Sequence, residues 1–229
     1  MKGLEGLPEI ARRSLEDWRT AVKKVLRQKL VGIVVYGSAA RGEYKDRTSD
    51  IDVALVLQDA NAEDMRALRT PLRIGRAAAR IEPMILDADE IARTALVSPL
   101  FYEAIVRHRV LIYGKDPFAS LEVPEANLDL RIEQELRDAR IRLRRLAVDA
   151  NGEALRSAID RKLRQLREPF RALLEREGVS VTSDNLEAVI EVACKHWNVH
   201  PREIHAVDPD RAHAGLTLLV ERAIESLRE

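Results

Sequence analysis

Apolar side chains follow two rhythms along this chain, and the switch between them marks two regions. In the first, short apolar runs at 31–36, 51–57 and 81–86 predict three β-strands bounded by polar or glycine-containing segments. Ahead of them Ala11, Leu15, Trp18, Val22 and Leu26 recur at helical spacing behind Pro8, which suits a first helical turn. That helix is expected to cover one face of the sheet. Another is predicted over 62–80, with Pro71 expected to kink or split it because proline removes a backbone donor. Asp89 and Glu90 read as the start of a further helix, and Val110 to Tyr113 as a further strand.

Beyond Tyr113-Gly114-Lys115-Asp116-Pro117 strand-like runs stop and helical periodicity takes over. The organisation expected is therefore a first domain over 1–117, a linker near 114–126 and a helical bundle over 126–229. Leu128, Ile132, Leu136, Ala139, Leu143 and Leu146 make one stripe; Leu155, Ile159, Leu163, Leu166, Phe170 and Leu173 make another. Asn151-Gly152 separates them, which predicts an antiparallel helix pair. A third helix is expected from an N-cap in Thr182-Ser183-Asp184 to about Trp197, and a last one over roughly 209–227. The fold class is α/β (α+β), a small mixed sheet flanked by helices, followed by an all-α bundle.

Charge narrows the field of partners. Basic and acidic side chains balance at 38 each, so no global field draws the chain to long nucleic acid or an anionic membrane. With one cysteine, Cys194, and no long apolar span or signal sequence, an intracellular, cytoplasmic and soluble protein is expected. Cys194 lies in a helical run and reads as a buried inert thiol. Arg142, Arg144 and Arg145 read as a solvated helix face, and His196, His200 and His205 lack a metal-ligand motif. The arginine-rich, leucine-striped helical half suits homodimerisation.

The candidate chemistry lies between Val31 and Gln58. Asp50 and Asp52 stand two apart in a strand-like run, so period two puts both carboxylates on one face, roughly 6–7 Å apart along the strand. Like charges that close beside an apolar core call for compensation, and a divalent cation supplies it. Gly37-Ser38 closes the preceding strand and opens a turn through Arg41. Glycine lets backbone approach a phosphate, the Ser38 hydroxyl and following amides donate to its oxygens, and Arg41 offers a charge-assisted bond. Glu82, in Ile81-Glu82-Pro83-Met84-Ile85-Leu86, is the candidate third carboxylate, with Asp87, Asp89 and Glu90 as fallback ligands. Taken singly, an Asp-x-Asp or a Gly-Ser turn is most often structural; the spacing and the flanking strands are what carry the functional reading. The chain has no Gly-x₄-Gly-Lys-Ser/Thr loop and no Gly-x-Gly-x₂-Gly fingerprint.

Gly37-Ser38, eleven intervening residues and Asp50-Ile51-Asp52 resemble the signature of the polymerase-beta-like nucleotidyltransferase superfamily, and GSAARGE…SDIDVALV is most similar to its minimal nucleotidyltransferase branch. The resemblance implies a triphosphate held by Gly37, Ser38, Arg41 and Ser49, and two Mg²⁺ ions ligated by Asp50, Asp52 and Glu82, which would also be the catalytic residues. It implies transfer of a nucleoside monophosphate, AMP from ATP or the equivalent from another nucleoside triphosphate, to a hydroxyl on a protein or small molecule. The acceptor is expected between the two halves. Pro83 after Glu82 departs from the family's plain hydrophobic strand. The helical half resembles, by pattern, HEPN-type and kanamycin-nucleotidyltransferase C-terminal bundles, but no Arg-x₄₋₆-His occurs and ribonuclease activity is not implied. The rival readings are a nucleotide-binding regulatory or scaffold protein of a toxin–antitoxin-like system without turnover, and a helical interaction module with an incidental Asp-x-Asp.

Overall fold

The computed structural model describes residues 3–227. Four strands, β1 (Leu30–Val35), β2 (Ile51–Leu57), β3 (Ile81–Asp87) and β4 (Val110–Gly114), form one mixed sheet in the order β3-β2-β1-β4. β1 is antiparallel to β2 and to β4, whereas β2 and β3 are parallel. The parallel pair needs a crossover, and helix α3 (Ala62–Ala79) provides it. The architecture is the mixed sheet with flanking helices expected from the sequence.

Strand parity sorts the side chains into two cores. Ile33, Val35, Ile51, Val53, Leu55, Leu57 and Ile81 pack with α1 (Glu9–Leu26) and α3 on one face. Val34, Ala54, Val56 and Leu86 pack on the other with Ile91 and Ala95 of α4 (Ile91–Val97) and Tyr102 and Ile105 of α5 (Pro99–Arg107). Between β1 and β2 lies a single helical turn, α2 (Gly37–Ala40). Glu90 is the N-cap residue of α4; the separate α5, begun by Pro99, has no counterpart in the sequence reading.

Two prolines sit inside elements without breaking them. α3 runs uninterrupted through Pro71, contrary to the expected kink or split. Pro71 lies on the buried stripe with Leu68, Gly75 and Ala79, and packing of that stripe offsets the missing backbone bond. Pro83 is tolerated because β3 is an edge strand, where alternate N–H groups face away from the sheet.

The chain divides into two units, Met1–Val123 and Pro124–Glu229. The second is helical: α6 (Glu125–Asp149), α7 (Gly152–Arg176), α8 (Leu186–His196), the short α9 (Pro201–Ile204) and α10 (Pro209–Ser226). The α7 stripe from Leu155 to Leu173 is buried, as are Ile132, Leu136, Ala139 and Leu143 of α6. The third expected N-cap is displaced: Asn185, not Thr182 to Asp184, caps α8 by accepting from the Ala188 N–H at 2.8 Å, and Ser183 Oγ in turn accepts from Asn185 Nδ2. Arginines of α6 are internally compensated by Arg137–Glu133, Arg142–Asp138 and Arg145–Asp149 pairs one turn apart. His196 pairs with Glu177, and His200 accepts from the Arg202 N–H to cap α9. Cys194 is buried, and burial pushes its thiol up to about 11. Among the described residues no helix is long and apolar enough to cross a membrane.

Gly75 decides how closely α1 and α3 approach, since a Cβ there would stand 2.4 Å from Trp18 Cδ1. Alanine gains about 1 kcal/mol of helix propensity, yet overpacking a buried tryptophan costs about 1–3 kcal/mol. Gly75→Ala is therefore expected to lower stability by roughly 1–2 kcal/mol in urea unfolding. A stabilised variant would show that the two helices have room to part.

Candidate active site

The ends of β2 and β3 define the site. Their parallel register sets Asp52 opposite Glu82. Period two along the chain adds Asp50 on the same side, one step before β2 begins. Further along this face Ala54, Val56 and Leu86 enter the core, so the carboxylates cap an apolar layer.

The turn after β1 closes against this edge. The Tyr36 N–H donates to the Asp52 carbonyl at 3.0 Å, and the Arg41 N–H to the Gly37 carbonyl at 3.1 Å. Gly37 has φ +68°, a left-handed conformation, and a Cβ on it would lie 2.3 Å from Asp52 Oδ2. Only glycine satisfies both the backbone angle and the contact. Ser38 is half-buried on the same turn, and its carbonyl accepts from the Glu43 N–H at 2.9 Å. Ser49 Oγ accepts from the Lys45 N–H at 2.9 Å and so closes the loop that delivers Asp50.

Electrostatics separate the three carboxylates. Asp52 is pushed up to about 6, first by burial and then by the neighbouring Asp50 charge, with Glu82 adding and the Arg41 guanidinium opposing. Asp50 Oδ1 accepts from Arg80 Nε at 2.8 Å, and Glu82 Oε2 accepts from Arg76. Arg41, largely buried, donates through Nε to Glu43 at 2.9 Å. Tyr36 is raised well above its ordinary value by burial and by Asp52, and its ring meets Phe101 edge-on at 5.7 Å.

The backbone thus aligns the three expected ligands, while the side chains of Asp50 and Glu82 are turned to arginines. Among the described residues no group of three or more His, Cys, Asp and Glu side chains is assembled to hold a metal ion. The donor set nonetheless suits Mg²⁺: it offers hard carboxylate oxygens only, and burial followed by the Asp50 charge leaves Asp52 with a raised affinity for positive charge. The fallback carboxylates are occupied locally. Asp87 Oδ1 accepts from the Ala60 N–H at 2.5 Å, and Glu90 Oε1 from the Asp87 N–H at 3.0 Å. Arg76, Arg80 and Tyr36 adjoin the candidate carboxylates and are absent from the sequence reading of the site; the arginine pair just before Ile81-Glu82 was the available signal.

A family model described as "Nucleotidyltransferase domain" matches residues 19–142. No curated protein matches the chain. Among solved structures the chain is similar to spectinomycin adenyltransferase AAD(9) from Enterococcus faecialis, with ATP and spectinomycin: TM-score 0.58, 12% identity, 95% of this chain and 99% of that one covered. At that identity the likeness is one of fold.

Because Asp52 is raised above its ordinary 3.8, the folded state holds a proton that the unfolded chain has lost between pH 3.8 and about 6. Stability therefore falls as pH rises through that window. Discounted for the carboxylate's partial exposure, the cost at neutral pH is about 1 kcal/mol. Asp52→Asn is expected to raise the melting temperature by roughly 2–4 °C at pH 7.5, and not at pH 3.5. A gain that is independent of pH, or a loss at pH 7.5, would place Asp52 in a stabilising interaction instead.

Proposed function

The chain belongs to the nucleotidyltransferase domain family, and from that premise we propose that it transfers AMP from ATP to a hydroxyl of a small-molecule acceptor, releasing pyrophosphate. The observation that carries the reading is the register of Asp52 with Glu82, in line with Asp50 and against the Gly37 turn. Support for adenylyl transfer to a small molecule comes from the fold shared with an adenyltransferase that holds ATP and spectinomycin.

In this reading Gly37 keeps the turn close to Asp52, and the Ser38 hydroxyl and its neighbouring amides donate to the triphosphate, with Arg41 adding positive charge. The acceptor hydroxyl gives up its proton to solvent as its oxygen attacks the α-phosphorus in line; the bond from that phosphorus to the bridging oxygen breaks, and pyrophosphate leaves with the electron pair. Asp50, Asp52 and Glu82 would hold Mg²⁺, which when bound supplies an acidified acceptor hydroxyl and neutralisation of the departing pyrophosphate. Below about pH 6 the proton on Asp52 removes a negative charge from the site.

The arginine contacts of Asp50 and Glu82 favour a second reading, nucleotide binding without turnover. One experiment separates the two. The protein is incubated with α-labelled ATP, GTP, CTP or UTP and Mg²⁺, together with a panel of hydroxylated small molecules and a protein extract. The proposal expects label from ATP on a small molecule with one pyrophosphate released per transfer, and at least about 10²-fold loss in Asp50→Asn and Asp52→Asn. Label on a polypeptide would make the acceptor a protein. Retention of nucleotide without pyrophosphate would leave only the second reading.

A further inference from the structure

Arg76 and Arg80 hold Glu82 and Asp50 through the two ion pairs that keep this carboxylate set apart. Arg76 lies in the last turn of α3 and Arg80 is its C-cap residue, so both leave the chain at the end of the helix. The Arg80 backbone is fixed on both sides. It adopts the left-handed conformation (φ 51°, ψ 41°), donates its N–H to the Arg76 and Gly75 carbonyls, and accepts at its own carbonyl from the Ile51 N–H at 3.0 Å. The root of one arginine side chain is thus fixed a single residue ahead of β3 and one hydrogen bond from the residue between Asp50 and Asp52, while its guanidinium stays exposed. The Arg76 charge is sustained first by Glu82 and, beyond it, by Asp50.

We propose that this arginine pair is a transferable counter-ion: it occupies Glu82 and Asp50 while no substrate is present and turns onto the triphosphate when a divalent cation takes those carboxylates. The inference rests on the reading of the site given above. A guanidinium fork matches carboxylate and phosphate alike, so the same two groups serve both partners. Each pair engages one carboxylate oxygen, Glu82 Oε2 and Asp50 Oδ1, and a dication brought onto the same carboxylate repels the guanidinium there, so the two pairings compete. Both pairs are well exposed, with side-chain exposures of 68% and 36% for Arg76 and Glu82 and 51% and 42% for Arg80 and Asp50, which makes them weak enough to open. Once open, two positive groups face an arriving chain of phosphates beside the Gly37 turn.

The pair therefore has opposite effects on the two ligands. Arg76→Gln/Arg80→Gln is expected to bind Mn²⁺ alone about three- to tenfold more tightly, read by electron paramagnetic resonance. The same variant is expected to bind α,β-methylene-ATP with Mg²⁺ about three- to tenfold more weakly, read by calorimetry. Arg73→Gln, an exposed arginine of the same helix, is expected to change neither, and Arg76→Lys/Arg80→Lys to fall between wild type and the glutamine variant. Should the glutamine variant fold poorly by thermal melting, the lysine variant carries the comparison alone. Wild-type values for both ligands in the glutamine or lysine variant would overturn the counter-ion role while leaving the site intact. An equal effect from Arg73→Gln would overturn it in favour of a general field. Absence of Mn²⁺ and nucleotide binding in the wild type would overturn the site reading itself.

Discussion

Three carboxylates set side by side at the start of two parallel strands repel one another, and much of the N-terminal unit is arranged around that repulsion. The register that places Asp52 opposite Glu82 is the same register that buries Ile51 with Ile81 on the reverse face, so the strands cannot slip by one residue without moving their apolar set out of the core. The carboxylate cluster is therefore imposed by hydrophobic burial. What remains adjustable is the compensation, which guanidinium groups supply at Asp50 and Glu82 and, below about pH 6, a proton supplies at Asp52. In the proposed function a divalent cation would replace all three, and a costly feature of the fold would become a place for substrate.

Scaffold elements around the cluster serve its geometry. α3 connects β2 to β3 and ends on Arg80, whose carbonyl receives the N–H of Ile51; the crossover that makes the strands parallel also delivers the counter-ions. The turn after β1 is pinned from the other side by the Tyr36 to Asp52 backbone bond and by a glycine too close to Asp52 to carry a side chain. Proline follows Glu82 at little cost because β3 borders solvent. The departure from a plain hydrophobic strand is thus accommodated by topology.

Much of this was legible in the residues. Strand positions and the buried helical stripes followed from periodicity alone, since burial acts on alternate residues of a strand and on every third or fourth of a helix. The pairing of Asp52 with Glu82 across β2 and β3 agrees with the parity read from the sequence. Less visible was anything decided by tertiary contact. Pro71 was expected to disturb α3, but packing of its stripe overrode local preference. The Asn185 cap lay one residue beyond the polar cluster that suggested it, and Ser49 serves its own loop through the Lys45 N–H. Arg76 and Arg80 have no part in the sequence reading of the site, because sequence alone does not show that the end of α3 meets the start of β2.

The central claim is that Asp50, Asp52 and Glu82 act as one cation-binding unit next to a triphosphate. Carbon-13 spectra of protein labelled at aspartate and glutamate side-chain carboxyls, recorded as Mn²⁺ and ATP are added, test it directly. The account predicts that the resonances of these three broaden together at the lowest cation concentrations, ahead of Asp87, Asp89 and Glu90. Broadening confined to other carboxylates, or spread evenly over the surface, would contradict it.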